Sequence, residues 1–159
     1  MLQKLLIRLH AGVTAGSEHG GVRIVMWYLA ELVMQIVVAD DPRNVVHQNL
    51  VLVSADAPEE AYEKALHFGK NSETSYENPD GKSVQISFEG LSDLDQIDEE
   101  LEDGAELTFH YKVNVSEEQL RSIVQPRDRL RAFLPPTRAE GPDYTSREIL
   151  ALVERKLGN

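Results

Sequence analysis

Apolar and polar residues alternate through the first half of the chain in a pattern that predicts β-strands. Between residues 27 and 38 every even position is apolar, whereas Glu31 and Gln35 interrupt the odd positions. This alternation is typical of a strand that is buried on one face. An apolar run at residues 50–53 follows turn residues at 39–44, so we expect it to form an antiparallel hairpin with the first strand.

A helix is predicted after this hairpin. Asp56, Pro58 and Glu59 stand in the order that is typical of a helix start, and Gly69 is typical of a helix end. The predicted helix therefore runs to about residue 68, and its apolar stripe suits it to lie across one face of the sheet.

Three further strand patterns follow the helix. A second hairpin is predicted around residues 78–81, Asn-Pro-Asp-Gly, because Pro fixes φ for a turn and Gly accepts the positive φ that closes it. Its arms are residues 73–77 and 83–89. Residues 107–115 alternate cleanly between apolar and polar side chains, which predicts a fifth strand.

The stretch between the last two predicted strands is strongly acidic. Residues 93–106 contain eight carboxylates in fourteen residues and no Lys or Arg. Leu94, Ile97 and Leu101 recur within this stretch at spacings of three and four, so a helix is predicted over residues 92–103. Its like-charged neighbours at i,i+4 would repel each other.

The C-terminal third predicts two more helices. Two pairs of residues have the spacing of a capping box, and they are Ser116 with Gln119 and Thr145 with Glu148. In a capping box each of the two side chains forms a hydrogen bond with the backbone N–H of the other residue. Gly158 is the expected end of the last helix.

These patterns together predict an α+β fold. We expect a mainly antiparallel sheet of about five strands, in the order β-β-α-β-β-(acidic helix)-β, with one long helix packed on a face and a helical C-terminal tail. Residues 1–25 are interpreted as an N-terminal arm and linker, residues 26–125 as the α+β domain, and residues 126–159 as a Pro- and Arg-rich connector with a C-terminal helix.

Composition and charge narrow the class of protein. The chain has no cysteine, which excludes disulfides and thiolate metal sites and favours a cytoplasmic protein. Its net charge of −11 disfavours binding to nucleic acid or to an anionic membrane. No segment reaches the length of a membrane span, and Lys4 and Arg8 interrupt the only apolar run near the start.

Candidate chemistry is sparse. The sequence contains no phosphate-binding glycine loop, zinc signature or nucleophile elbow, so we expect no cofactor and no metal, and an enzyme is the less favoured reading. His67 shares a helix face with Glu63, which is typical of a surface polar pair. His110 lies on the polar side of the predicted fifth strand.

The order of several short motifs resembles a known family. These motifs are Trp27-Tyr28 opening a strand, residues 73–76, residues 78–81, Phe88 followed by Gly90, and Asp103-Gly104 with Glu106. Over about residues 26–115 the chain resembles the DUF4288 family of domains of unknown function. The resemblance implies a small bacterial domain and offers no catalytic residues to carry over.

Three functional hypotheses follow. The preferred one is a non-enzymatic module that binds a basic protein partner, in the manner of an immunity protein or antitoxin, through the acidic helix. Its anchors would be Asp98, Glu99, Glu100, Glu102 and Asp103, unless Arg127, Arg129 and Arg131 of the same chain cover them. The second is a small-molecule-binding or enzymatic domain that uses Glu73, Tyr76, Gln85 and His110 on the polar sheet face. The third is a homodimer formed through sheet edges.

Overall fold

A computed structural model describes residues 25–134 and 141–157. The chain folds as an α+β protein around one four-stranded antiparallel sheet in the order β2-β1-β4-β3. The elements are β1 (Met26–Val38), β2 (Asn44–Ala55), α1 (Pro58–Asn71), β3 (Thr74–Glu77), β4 (Ser83–Ile97), α2 (Glu117–Ile123), two 3₁₀ turns (Arg127–Arg129 and Arg131–Phe133) and α3 (Arg147–Leu157). The predicted class is confirmed. The predicted N-terminal arm lies outside the described residues except for Val25.

The first hairpin forms as predicted. β1 and β2 pair without interruption from Met26 opposite Ala55 to Val37 opposite Asn44. β1 is the central strand, since β4 pairs with its other edge.

The core lies on the even-numbered face of β1. Tyr28, Ala30, Leu32 and Met34 are buried there beneath α1, which contributes Ala61 and Ala65 to the same cluster. The remaining even positions, Ile36 and Val38, form a second cluster with Val84 and Tyr144. The even positions of β1 from Tyr28 onward are therefore buried, as their alternation predicted, and Leu29 is buried as well. We call the side of the sheet that carries the even positions the covered face.

Helix α1 begins and ends later than predicted. Its N-cap is Ala57 instead of Asp56, and the backbone N–H of Asp56 donates to Glu60 Oε2 at 2.8 Å. Gly69 lies inside the helix, which continues to Asn71. The missing side chain of Gly69 lets the helix pack closely against the Phe88 ring. The predicted helix is correct, but Gly69 serves packing and does not end it.

The second hairpin, β3 with β4, is also confirmed. Asn78 is buried in its turn, where its Oδ1 accepts from the backbone N–H of Lys82 at 2.8 Å. Gly81 has the positive φ, 77°, that the turn requires.

Residues 142–147, which we call the C-terminal strap, cover the end of the sheet that α1 does not reach. The Tyr76 hydroxyl donates to the backbone oxygen of Tyr144, and Asn78 Nδ2 donates to the backbone oxygen of Asp143 at 2.8 Å. The ring of His47 meets the ring of Tyr144 edge-on at 5.4 Å. The strap thus joins β2, β3 and the core of β1.

The helix after the strap starts one residue later than predicted. α3 begins at Arg147, and the Ser146 hydroxyl accepts from the backbone N–H of Ile149 at 3.4 Å, so the capping residue is Ser146 instead of Thr145. The predicted end at Gly158 lies outside the described residues.

The contacts divide the chain into two compact units. One contains residues 25–108 and 142–157, and the other contains the described residues between 109 and 141. In the second unit the capping box of Ser116 and Gln119 forms as predicted. The Arg127 guanidinium lies 4.0 Å from the Phe133 ring centroid. These units differ from the segments predicted from the sequence, and the predicted domain limits stay a prediction.

The predicted fifth strand is wrong. Residues 107–115 contain no regular strand, and the side chain of Tyr111 is 80% exposed. Alternation makes a segment competent for a strand, but a strand forms only where a neighbouring edge accepts its backbone hydrogen bonds.

None of the helices in the described part of the chain is long and apolar enough to cross a membrane.

Candidate binding face of the sheet

The acidic stretch is divided between a strand and a turn, so the predicted acidic helix is wrong. β4 continues to Ile97, and residues 98–104 form turns after it. Two register shifts against β1 leave Glu89 and Ser92 with no β1 residue directly opposite them. Each extra residue moves the alternation by one position, as a β-bulge does. Leu91 and Leu94 therefore stand three apart, like helical neighbours, although both belong to a strand.

The predicted apolar stripe of that helix does not exist. Leu94 lies opposite Ala30 and packs against the covered core, whereas Ile97 lies opposite Trp27 on the other side of the sheet. Cross-strand partners share a face, so the two side chains point away from each other.

The strand part of the stretch places carboxylates on the side opposite α1. We call this side the open face; it carries the odd-numbered residues of β1. Asp93 lies directly opposite Glu31, and Asp95 lies opposite Leu29. Like charges placed directly opposite each other across two strands are destabilising. Three carboxylates thus share the open face, and two of them repel each other.

The same face carries exposed apolar side chains on β2. Leu50 lies opposite Glu31 and is 64% exposed, and Leu52 lies opposite Leu29 and is 44% exposed. The strands therefore present two adjacent rows, in the order β2, β1, β4. One row is Leu50, Glu31 and Asp93; the other is Leu52, Leu29 and Asp95. The other exposed apolar residues of this face are Trp27, Val37 and Val46.

The predicted anchor residues lie beyond the end of β4. All five are exposed, and they are Asp98, Glu99, Glu100, Glu102 and Asp103. Glu99 Oε2 accepts from the backbone N–H of Glu106 at 2.9 Å, and Gly104 takes a positive φ of 95°, so the segment folds back on itself. The structure keeps these residues together as a turn at the end of β4 and not as one face of a helix. Their binding role stays a prediction, as does their pairing with Arg127, Arg129 and Arg131.

The residues of the alternative pocket do not share a sheet face. Tyr76 lies opposite Val84 on the covered face, and burial raises the pKa of its hydroxyl. Gln85 is exposed on the open face, one residue along β4, so the predicted common polar face for Tyr76 and Gln85 is wrong.

The other two members of that pocket have separate surroundings. Glu73 is held by structural hydrogen bonds, because its Oε1 accepts from the backbone N–H of Phe88 and from Lys70 Nζ, both at 3.0 Å. These bonds lower its pKa, the first more than the second. His110 is exposed and belongs to the second compact unit. Among the described residues, no three His, Asp or Glu side chains are grouped so as to hold a metal ion.

Sequence reasoning missed five candidate site residues, which are Glu31, Leu50, Leu52, Asp93 and Asp95. A signal for them was present, because β1 is apolar at Trp27, Leu29, Val33 and Val37 as well as at its even positions. A strand that is apolar on both faces needs cover on both. Helix α1 and the strap lie on only one. The open face is covered in part, because Leu29 and Ile97 are buried there and the Thr108 hydroxyl donates to Asp95 Oδ2 at 3.4 Å, whereas Leu50 and Leu52 stay exposed.

A family model described as a domain of unknown function (DUF4288) matches residues 27–109, just over half of the chain. The match includes α1 and the whole of β2, β3 and β4, together with β1 from Trp27 onward. It confirms the resemblance found in the sequence motifs. No curated protein and no solved structure matches the chain.

Proposed function

The chain belongs to the DUF4288 family, and from the geometry of its open face we propose that it is a non-enzymatic module that binds a protein partner carrying apolar and basic side chains. The observation that carries this proposal is the cross-strand row of Leu50, Glu31 and Asp93, in which an exposed apolar side chain stands beside two opposed carboxylates.

The apolar part of the face supplies the contact energy. Leu50 and Val46 are 64% and 54% exposed on β2, and covering apolar surface contributes about 25 cal/mol for each Å² removed from water. Exposed apolar side chains that stand side by side on one face, as Leu50 and Leu52 do, are typical of a protein interaction site. Its strands are paired, so the face is rigid before a partner arrives, which lowers the entropy that binding costs.

The acidic part of the face supplies selectivity. Glu31, Asp93 and Asp95 attract Lys or Arg side chains, and the exposed turn at residues 98–103 extends the same charge beyond the end of β4. Charges of this kind accelerate encounter and reject acidic partners, and they lose strength in salt. A basic toxin or nuclease, neutralised as by an immunity protein or antitoxin, has the chemistry that this face selects.

The test compares the proteins that four purified forms of the chain capture from a cell lysate at low and at high salt. Leu50→Ser/Leu52→Ser removes two apolar side chains from the face, and Asp93→Asn/Asp95→Asn removes two of its charges. Glu59→Gln/Glu63→Gln makes the same charge change on exposed positions of α1, and the unaltered chain is the reference. We expect one protein to be retained by the reference and by the α1 variant, and to be lost from both variants of the open face.

The captured protein is then purified and titrated with the chain. Trp27 is the only tryptophan and lies on the open face, so its fluorescence reports directly on cover of that face. A Trp27→Phe variant provides the blank for any tryptophan in the partner. Binding that leaves Trp27 unchanged, or capture that survives both variants of the open face, would overturn the proposal.

A further inference from the structure

β2 is the long edge of the sheet. It has twelve residues and pairs with β1 on one side, whereas β3, at the other edge, has only four. Within the described part of the chain, no strand lies beyond β2. The outward backbone groups of a long edge strand form a template for another strand.

The usual protections of an edge strand are missing from β2. Natural edges carry charged side chains, proline or a bulge that prevent pairing with another molecule. Asn44–Ala55 contains no charged residue and no proline, and its pairing with β1 has no bulge. Lys64 Nζ donates to the backbone oxygen of Ser54 at 2.8 Å, so a side chain from α1 lies against the C-terminal end of β2.

We propose that β2 pairs with β2 of a second copy of this chain, antiparallel about a two-fold axis. Such an interface uses the same strand from both copies, and a closed two-fold dimer is the commonest form of association. The two sheets would join into one eight-stranded sheet through backbone hydrogen bonds.

The absence of charge on β2 suits a second copy better than a basic foreign strand. The chain carries a net charge of −11, so self-association requires a surface where this charge is absent, and β2 is such a surface. A basic foreign strand would be selected by carboxylates, which β2 lacks.

The carboxylates nearest to the proposed β2–β2 interface are far enough apart in the two copies for their repulsion to be weak. Glu31, on β1, is one strand from β2, so the Glu31 side chains of two copies would lie three strand spacings apart, about 14 Å. Repulsion over that distance is largely screened at an ionic strength of about 0.15 M, where the Debye length is about 8 Å.

The β2–β2 interface would also bring the open faces of the two copies side by side. Val46, Leu50 and Leu52 of each copy would lie on either side of the two-fold axis, on the same side of the combined sheet. The inference stands on the edge of β2 and not on the face, so it holds whether or not the face binds a partner.

The experiment measures molar mass by light scattering over a range of concentrations, with charge placed near the middle of β2. Gln48 and Asn49 are both exposed. We expect the unaltered chain to dimerise, and Gln48→Lys/Asn49→Lys and Gln48→Glu/Asn49→Glu each to be monomeric when alone. An equal mixture of these two variants should form mixed dimers, because opposite charges then meet across the β2–β2 interface.

Two controls test whether dimerisation depends on the β2 edge and not on another effect of the substitutions. Thr74→Lys/Ser75→Lys places the same charge on exposed residues of β3, at the other edge, and should leave the dimer intact. Because the chain has no cysteine, single cysteines at positions 46–52 can also be oxidised, and copies should cross-link where their Cα atoms approach within about 7 Å. This scan needs no charge in the strand, so it decides even if a charged variant fails to fold.

Each contrary result overturns the inference. These results are a chain that stays monomeric at every concentration, a dimer that survives both charged β2 variants, and a mixture that fails to associate. A monomer in which a captured protein protects β2 from hydrogen exchange would assign the edge to a foreign strand.

Discussion

At the scale of single residues, Glu73 joins the end of α1 to β4. Its Oε1 accepts from the backbone N–H of Phe88 and from Lys70 Nζ at 3.0 Å each. Both bonds favour the charged carboxylate, and the hydrogen bond from Phe88 lowers the pKa of Glu73 more than Lys70 does. A group whose pKa is lowered by folding stabilises the folded state above its unfolded pKa and loses this effect as the pH falls through the folded pKa.

This residue predicts a defined pH dependence of stability. In Glu73→Gln an oxygen can still accept from Phe88, but the charge is absent. The difference in urea midpoint between the unaltered chain and Glu73→Gln should be constant above about pH 6 and should shrink as the pH falls below the usual glutamate pKa of 4.5. Urea titrations from pH 3 to pH 7 measure it. Glu63→Gln, at an exposed position of α1, is the control, and a difference that does not vary with pH would contradict this role.

At the scale of elements, the contact of α1 with the sheet depends on the missing side chain at position 69. A Cβ atom there would lie 2.4 Å from two ring carbons of Phe88, far inside contact distance. Phe88 is buried and its ring cannot move out of the way without opening the core. Glycine in a helix is unfavourable by about 1 kcal/mol relative to alanine, so its presence reflects close packing.

Gly69→Ala should therefore destabilise the fold in spite of its better helix propensity. Overpacking of a core typically costs about 1–3 kcal/mol, and the propensity offsets about 1 kcal/mol of it. Urea unfolding measures the difference. The matched test is Gly69→Ala in a Phe88→Leu background, where the smaller side chain leaves room and the loss should be smaller than the sum of the single changes. Additive losses would show that the two residues do not meet.

Elements with local signals were predictable, and elements fixed by distant contacts were not. The alternation of β1, the turn at residues 78–81 and the capping box at Ser116 all depend on neighbours in sequence, and each formed. The acidic stretch misled because Leu94 and Ile97, three residues apart, lie on opposite faces of one strand, and Leu101 lies in the turn after it. Only the register with β1 reveals this.

The same distinction applies to the candidate site. The acidic character of residues 93–106 could be predicted, but the opposition of Asp93 to Glu31 and the exposure of Leu50 depend on strand order. Residues 107–115 have the pattern of a strand and no regular strand structure, because strand formation depends on an available edge as well as on pattern. Similarly, no local signal places Tyr144 against His47, nearly a hundred residues away.

At the scale of the whole molecule, the distribution of negative charge opposes stability. Asp93 and Glu31 are direct cross-strand partners in a chain with a net charge of −11. An opposed like-charge pair of this kind costs roughly 0.2–1 kcal/mol. Asp93 Oδ1 accepts from the backbone N–H of Leu94 at 2.9 Å, a bond that an Asn side chain can also accept, so the charge itself is what the pair makes unfavourable. Positions that break a local rule are typical of functional sites.

Asp93→Asn should therefore stabilise the fold at low ionic strength. The gain in the free energy of unfolding should be about 0.2–1 kcal/mol in 0.05 M salt and should diminish in 1 M salt, where the Debye length is about 3 Å. Glu31→Gln should give a similar gain, and the double variant should gain less than the sum, since each change alone removes the same repulsion. Asp98→Asn removes one negative charge from the exposed turn and is the control for net charge.

The same substitution connects stability to binding. If Asp93 is retained for a basic partner, the variant that folds more stably should also capture less, and both changes should vanish together at high salt. A variant that is more stable and captures equally well would remove the acidic part of the open face from the proposed site and leave only its apolar part. The relation between these two measurements therefore decides whether the charge on β4 selects a partner.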